Sequence, residues 1–416
     1  MRVLHTSDWH LGRSFHRVDL LDAQAGYVDH LVEVVCSERV DVVAVAGDVY
    51  DRALPGVDAV ALCDDALARL AGAGAQVVVI SGNHDSARRL GFGARLMARA
   101  GVHVRCDPRG AADPVLLPLD GRELAVYAVP YLEPDAVRPL LDPAPGRGHE
   151  AVLRGMLDRC RRDLATRTRT RSLVLAHAFV RGGEASDSER DISVGGASDV
   201  PLGALDGFDY VALGHLHGRQ RLADGVRYSG SPLAYSFSEQ HHTKGSWLVE
   251  LTAAGLGAVE FVPAPVRRRL ATVSGTLEAL LSDPAHEALV DSFLSVTLTD
   301  PGRVDDAMGR LQRRFPHAVH LEWRPAGPAA ADARSYCERV AGHDTAAIVR
   351  EFVVHVRGVG VSAGEDALVV DAVERERRSV DDPVRALGDE LLVPDGVAKP
   401  VVDVAAVAGD PLEETA

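Results

Sequence analysis

Eight side chains that can bind a cation or move a proton stand just behind short apolar runs. They are Asp8 and His10 in "SDWH", Asp48 in "GDVYD", Asn83 and His84 in "GNHD", His177 after "SLVLA", and His215 and His217 in "GHLHG". In an extended strand residues two apart point to the same side, so His215 and His217 can converge on one site. Imidazole mixed with carboxyl and amide oxygen, without thiolate, suits manganese, iron, zinc or magnesium better than copper or an iron–sulfur cluster. The set exceeds the needs of one four- to six-coordinate ion, and two cations ~3.5–4 Å apart, bridged by a carboxylate, account for it. Each motif alone has a plainer explanation: "GNHD" can be a turn, because Gly and Asn suit the left-handed backbone region. Their joint appearance in this order points to one shared centre.

Those groups need strands to carry them. The runs "RVLHT" (2–6), "VDVVAVAG" (40–47) and "AQVVVIS" (75–81) predict strands, and residues 22–38 and 57–71 have helical spacing through Leu31, Val34 and Val35 and through Val60, Leu67 and Leu70. After a less regular middle, "SLVLAHAFV" (172–180), "FDYVALGHLHG" (208–218), "VRYSGSP" (226–232) and "GSWLVEL" (245–251) predict further strands. Strands alternating with helices indicate an α/β layered fold, whose ligands collect at the carboxyl ends of strands.

The pattern changes at "VPAPVRRRL" (262–270), a proline-marked linker, after which residues 271–325 read helix, strand, helix, strand. Two helices follow. Asp344 is placed to cap "TAAIVREFVVHV", with a stripe of Ile348, Val349, Phe352, Val353 and Val356, and Ser362 and Glu365 have capping-box spacing ahead of the second. Such a stripe serves either its own domain or a partner. The last ~30 residues, proline-bearing and acidic, predict a mobile tail.

A chain of 416 residues that is 46% hydrophobic and 25% charged reads as a globular protein of more than one domain. No run approaches the ~20 apolar residues of a membrane span, and the start reads as a strand, so the expected location is cytoplasmic. Five scattered cysteines favour free thiols in a reducing compartment and argue against a thiolate zinc site. The net charge of −15 argues against nucleic-acid binding through a broad basic surface alone, and −9 of it belongs to residues 361–416. Lys244 and Lys399 are the only lysines, which reads as compositional bias toward arginine.

The segments "LHTSDWHLGRSF", "VAGDVYD", "SGNHDS", "SDSERDISVGG", "FDYVALGHLH" and "YSGSPLAYSFSE" resemble, in order and spacing, the bacterial SbcD nuclease-subunit family of the calcineurin-like metallophosphoesterase superfamily. The resemblance is close over roughly residues 1–250 and looser beyond. It implies a layered sandwich of two sheets flanked by helices, with a small α/β capping domain and C-terminal helices. The implied division is 1–265 nuclease domain, 266–328 capping and DNA-recognition domain, 340–380 SbcC-binding helices and 381–416 acidic tail. By the same resemblance Asp8, His10 and His217 hold one metal and Asn83, His177 and His215 the other, with Asp48 bridging. The family's usual metal is manganese, with magnesium, iron or zinc as alternatives. His84 would be the general acid and Asp85 a candidate for orienting it. Asp51 fits the bacterial type, where archaeal and eukaryotic relatives often have histidine. Arg181 and Arg190, in the loop 181–196, are candidates for phosphate contact or for an internal pair with an acid.

The implied activity is two-metal hydrolysis of DNA phosphodiesters, as 3′–5′ double-strand exonuclease and as single-strand or hairpin endonuclease. The implied assembly is a homodimer joined to an SbcC-type ATPase on DNA, near the nucleoid, in end processing, repair and recombination. No Gly-x-x-x-x-Gly-Lys-Ser/Thr loop occurs, so ATP use falls to the partner. A small phosphodiester or phosphomonoester as substrate is the alternative, since the same site would serve.

Overall fold

The structure is a computed structural model and describes residues 1–189, 199–325, 340, 342–357 and 359–381. Arg190, Cys337 and the acidic tail from 382 lie outside the described residues. The chain divides into one compact unit of residues 1–300 and 304–325 and a second of 301–303 and 326–416.

The first unit is built on two six-stranded sheets. One has the order β14-β13-β1-β4-β5-β6 and comprises β1 (Arg2–Thr6), β4 (Val42–Ala46), β5 (Gln76–Ile80), β6 (Val102–Arg105), β13 (Gly245–Thr252) and β14 (Gly255–Pro263). The other has the order β11-β12-β10-β9-β8-β7, from β7 (Val115–Leu119), β8 (Arg122–Val129), β9 (Thr170–His177), β10 (Tyr210–Gly214), β11 (Gln220–Ala223) and β12 (Val226–Tyr228). A separate two-stranded hairpin pairs β2 (Ser14–Phe15) with β3 (Val18–Asp19).

Strand alternation makes the layers. Val3, Val42, Ala44, Val78 and Ile80 meet Leu173, Leu175, Tyr210 and Ala212 in a core between the sheets. The intervening residues Leu4, Val43, Val45, Val77 and Val79 turn outward against helices α1 (Leu21–Glu38) and α2 (Val57–Gly72). On the far side Val174, Ala176, Val211 and Leu213 pack against Val152, Met156 and Leu157 of the helix His149–Thr166. Parallel strands covered on both faces read as continuous apolar runs, which is why these segments stand out in the sequence.

The less regular middle contains β6, the β7–β8 hairpin and the helix His149–Thr166. Strand β7 lies at a sheet edge, buries only alternate residues and carries Pro118, as an edge tolerates, so its apolar signal is diluted. The stretch "VRYSGSP" forms a strand only over Val226–Tyr228.

A three-stranded parallel sheet of β15 (Leu270–Gly275), β16 (Phe293–Leu298) and β17 (Ala318–Trp323) follows, with helices Leu277–Ser282 and Ala307–Arg314 over it. It precedes the expected helix–strand alternation with one more strand, β15. It belongs to the first unit, where Phe293 packs with Phe15, Leu20 and Tyr235. The second unit's described elements are the helices Thr345–Arg357 and Ala363–Asp381. Asp344 accepts from the Ala347 N–H at 2.8 Å, and the Glu365 carboxylate accepts from the Ser362 N–H at 2.8 Å, so the predicted cap and capping box both form. Arg350 pairs with Asp366 across the two helices, while Phe352 is 53% and Leu368 70% exposed. No described helix is long and apolar enough to cross a membrane.

Candidate metal centre

Strands β1, β4 and β5 of one sheet and β9 and β10 of the other end side by side, and their terminal residues meet. The loop after β1 is zipped to the loop after β4: the Asp8 N–H donates to the Gly47 carbonyl and the His10 N–H to the Asp48 carbonyl, both at 3.0 Å. The second sheet closes on the first through the Ala46 carbonyl, which accepts from His177 Nδ1 at 2.9 Å, and through the His215 N–H, which donates to Asp8 at 3.0 Å. Asp8, His10, Asp48 and His215 all have positive φ, a sparsely populated backbone for non-glycine residues that surrounding contacts must enforce.

Asp8, His10, Asp48, His177, His215 and His217 are all buried. Three groups of possible ligand atoms each lie within 4.8 Å: Asp8, His10 and His217; His10, Asp48 and His84; and Asp8, Asp48 and His177. Asp48 Oδ2 stands between the halves, 3.7 Å from His10 Nε2 and 3.5 Å from His177 Nε2. Asn83 Oδ1 faces His177 Nε2 at 2.9 Å and His215 Nδ1 at 3.2 Å.

The donor chemistry fits divalent cations. In neutral His177, Nδ1 carries the proton given to Ala46, so the Nε2 lone pair points at Asn83 and Asp48, acceptors that cannot satisfy it. His10 Nε2 and His217 Nε2 face each other at 3.1 Å, where a neutral pair needs one as donor and the other as acceptor. A cation answers the His177 conflict and would take the lone pairs of both His10 and His217. Electrostatics show the same unsatisfied demand: burial raises Asp8 to about 6, against the pull of His177 and His217. Burial also pushes Asp48 up, but His177, His10 and His84 outweigh it and hold the carboxyl well below its usual range. Burial lowers His177 while Asp48 and Asp8 lift it, for a net rise to about 9, so without a cation a proton on Nε2 answers these acceptors, in the place a cation would take. Burial lowers His215 to about 3.

The two remaining predicted residues divide. His84 sits at the rim with 16% of its side chain exposed, its Nδ1 donating to the Asp51 carbonyl at 2.8 Å and its Nε2 4.0 Å from Asp48. Asp85 does not contact His84 through its carboxylate, which instead accepts the N–H groups of Gly82, Val49 and Tyr50 at 2.9, 3.1 and 2.9 Å. Asp85 thus fastens two loops together, and the Asp51 carbonyl orients His84. The reason is geometric: the turn Gly82–Asp85 folds the carboxylate back over its own strand end. Asp51 itself lies 3.8 Å from His10 Nδ1 and 3.7 Å from Arg13. Arg181 pairs with Asp199 at 2.6 Å.

Sequence reasoning missed the supports of His217. Ser188 meets its Nδ1, Glu189 its N–H and Lys244 its carbonyl. The clue was present, since Lys244 is one of only two lysines in a chain that otherwise uses arginine. Lys244 and Glu239 also line a cavity of about 640 Å³ with Leu20, Arg268 and Phe293, which none of the predicted site residues borders.

The family model of calcineurin-like phosphoesterases matches residues 1–219. A second, the SbcD C-terminal family described as type 5 capsule protein repressor C-terminal domain, matches residues 266–355. Among solved structures, TT1561 of Thermus thermophilus is similar at 14% identity over 63% of this chain and 98% of that one, with a TM-score of 0.37. A dimetal phosphatase from Danio rerio is similar at 14% identity over 64% of this chain and 99% of that one, with the same TM-score of 0.37. With its phosphoesterase match spanning the strands that carry the centre and its second match following in order, the chain belongs to the calcineurin-like phosphoesterases, and within them to the SbcD type.

Proposed function

We propose that the chain is the DNA-cleaving subunit of an SbcC–SbcD complex. The observation that carries this is one buried cage in which ligand atoms of Asp8, His10 and His217, of His10, Asp48 and His84, and of Asp8, Asp48 and His177 gather within 4.8 Å, in a chain whose C-terminal region matches the SbcD type. Asp8, His10 and His217 would hold one cation and Asn83, His177 and His215 the second, with Asp48 shared between them; manganese is the proposed metal. Bound divalent cations would supply charge neutralisation at the phosphate and a water acidic enough to serve as nucleophile. The protein's share is to fix the ligands and to aim His84, whose Nδ1 is tied to the Asp51 carbonyl, so that Nε2 protonates the departing 3′ oxygen. Asp85 acts indirectly, by holding the loop that presents Asn83 and His84.

The residues around 266–328 form the capping and DNA-recognition part, and the helices within 340–380 carry the SbcC contact. A homodimer joined to SbcC, at the nucleoid, performs exonuclease and hairpin endonuclease cleavage. The partner and the two cations offset the acidity of the chain. The test is to incubate purified protein and manganese with linear duplex DNA, hairpin DNA and a small aryl phosphodiester, with and without an SbcC-type ATPase. DNA cleavage is expected; hydrolysis of the small ester with no DNA cleavage in any condition overturns the nuclease reading in favour of a small-substrate phosphoesterase.

A further inference from the structure

His217 presents Nε2 to His10 and Nδ1 to the Ser188 hydroxyl, the latter at 2.5 Å. The same hydroxyl lies 2.5 Å from Glu239 Oε1. A carboxylate only accepts, so Ser188 donates its proton to Glu239 and its oxygen accepts from His217 Nδ1–H. That assigns the Nδ1 tautomer and leaves the Nε2 lone pair on the side of the cage. Glu239 Oε1 is 3.7 Å from Nδ1, too far for a direct hydrogen bond, and the serine hydroxyl bridges the gap.

The relay is anchored from behind. Glu239 is 1% exposed and its other oxygen pairs with the buried Lys244 ammonium. Lys244 gives its remaining donors to the His217 carbonyl at 2.7 Å and to Ser231 Oγ at 2.9 Å. Arg13 holds the Ser188 carbonyl at 3.1 Å, and Glu189 accepts the His217 N–H at 2.7 Å. Nothing in this set reaches the other half of the cage.

We propose that Ser188 and Glu239 are positioning residues: a hydroxyl-bridged carboxylate–histidine relay that fixes the tautomer and aim of His217 toward one of the two cations. This rests on the two-cation reading of the site. Outer partners of ligating histidines typically govern about 10- to 100-fold in metal affinity, and here the effect falls on one site only.

The experiment uses full-length wild type, Ser188→Ala, Ser188→Thr and Glu239→Gln, titrated with manganese and followed by electron paramagnetic resonance, with thermal melting in chelator as the fold control. Wild type is expected to take two ions and show a spin-coupled pair. Ser188→Ala is expected to bind one ion normally and the other about 10- to 100-fold more weakly, giving an uncoupled signal at limiting metal with unchanged chelator melting. Ser188→Thr, which keeps the hydroxyl, is expected to restore the coupled signal. Glu239→Gln strands the Lys244 charge, so if it unfolds, the serine pair decides. Two ions bound by Ser188→Ala with wild-type affinity, or no rescue by threonine, overturns the relay. A wild type that takes up no manganese overturns the two-cation reading, and the relay with it, before any variant is compared.

Discussion

At the scale of single residues, two neighbours in "GNHD" sit in different settings. His84 is partly exposed and tied to a main-chain carbonyl, so His84→Ala removes the proposed proton donor while leaving the buried cage intact. Turnover is expected to fall by ~10²–10⁴-fold with manganese and DNA binding retained; normal turnover of the variant rules out the acid role. Asp85 accepts three main-chain N–H groups. Asp85→Ala leaves those donors without a partner, at ~1–3 kcal/mol for each that water cannot reach. The urea midpoint of Asp85→Ala is therefore expected well below that of His84→Ala, although the residues are adjacent.

At the scale of elements, the centre exists because the ends of two sheets approach to main-chain contact. Gly214 closes β10, and a Cβ there would run into the Ala46 carbonyl oxygen at the end of β4. Gly214→Ala must push the sheets apart where His177, His215 and Asp48 meet, and overpacking of this kind costs ~1–3 kcal/mol. Calorimetry is expected to show both lower stability and weaker manganese binding. Gly26→Ala supplies the contrast, since a Cβ there meets nothing in mid-helix α1; it is expected to stabilise by roughly 0.5–1 kcal/mol with metal binding unchanged.

At the scale of the whole molecule, the two sheets are also joined by a buried polar tie. His5 on β1 donates from Nε2 to the Leu213 carbonyl at 3.1 Å and accepts at Nδ1 from the Tyr210 hydroxyl at 3.0 Å. Burial lowers its pKa from 6.5 to about 3. Between those values the unfolded chain binds a proton that the folded chain refuses, so stability falls as pH falls, by up to about 1.4 kcal/mol per pH unit from this residue. His5→Gln keeps a donor and an acceptor without titrating. Urea midpoints measured from pH 7 to pH 4 are expected to fall less steeply in that variant than in wild type; equal slopes exclude His5 as a source of acid sensitivity.

Local sequence was enough for features whose partners are near. The buried runs "VVAVA" and "YVALG" announced strands because both faces are covered, and Ser362 with Glu365 announced a cap because the bond spans three residues. The motif residues were legible because each stands at a strand's carboxyl end, where backbone direction alone delivers it to the centre. What the tertiary structure decided depends on closure of one sheet against the other. It places β13 beside β1, turns Asp85 onto three N–H groups, and brings Ser188 and Glu239 to His217. Those contacts join residues that no periodicity relates, and a chain's pattern of burial states which faces are covered without stating what covers them.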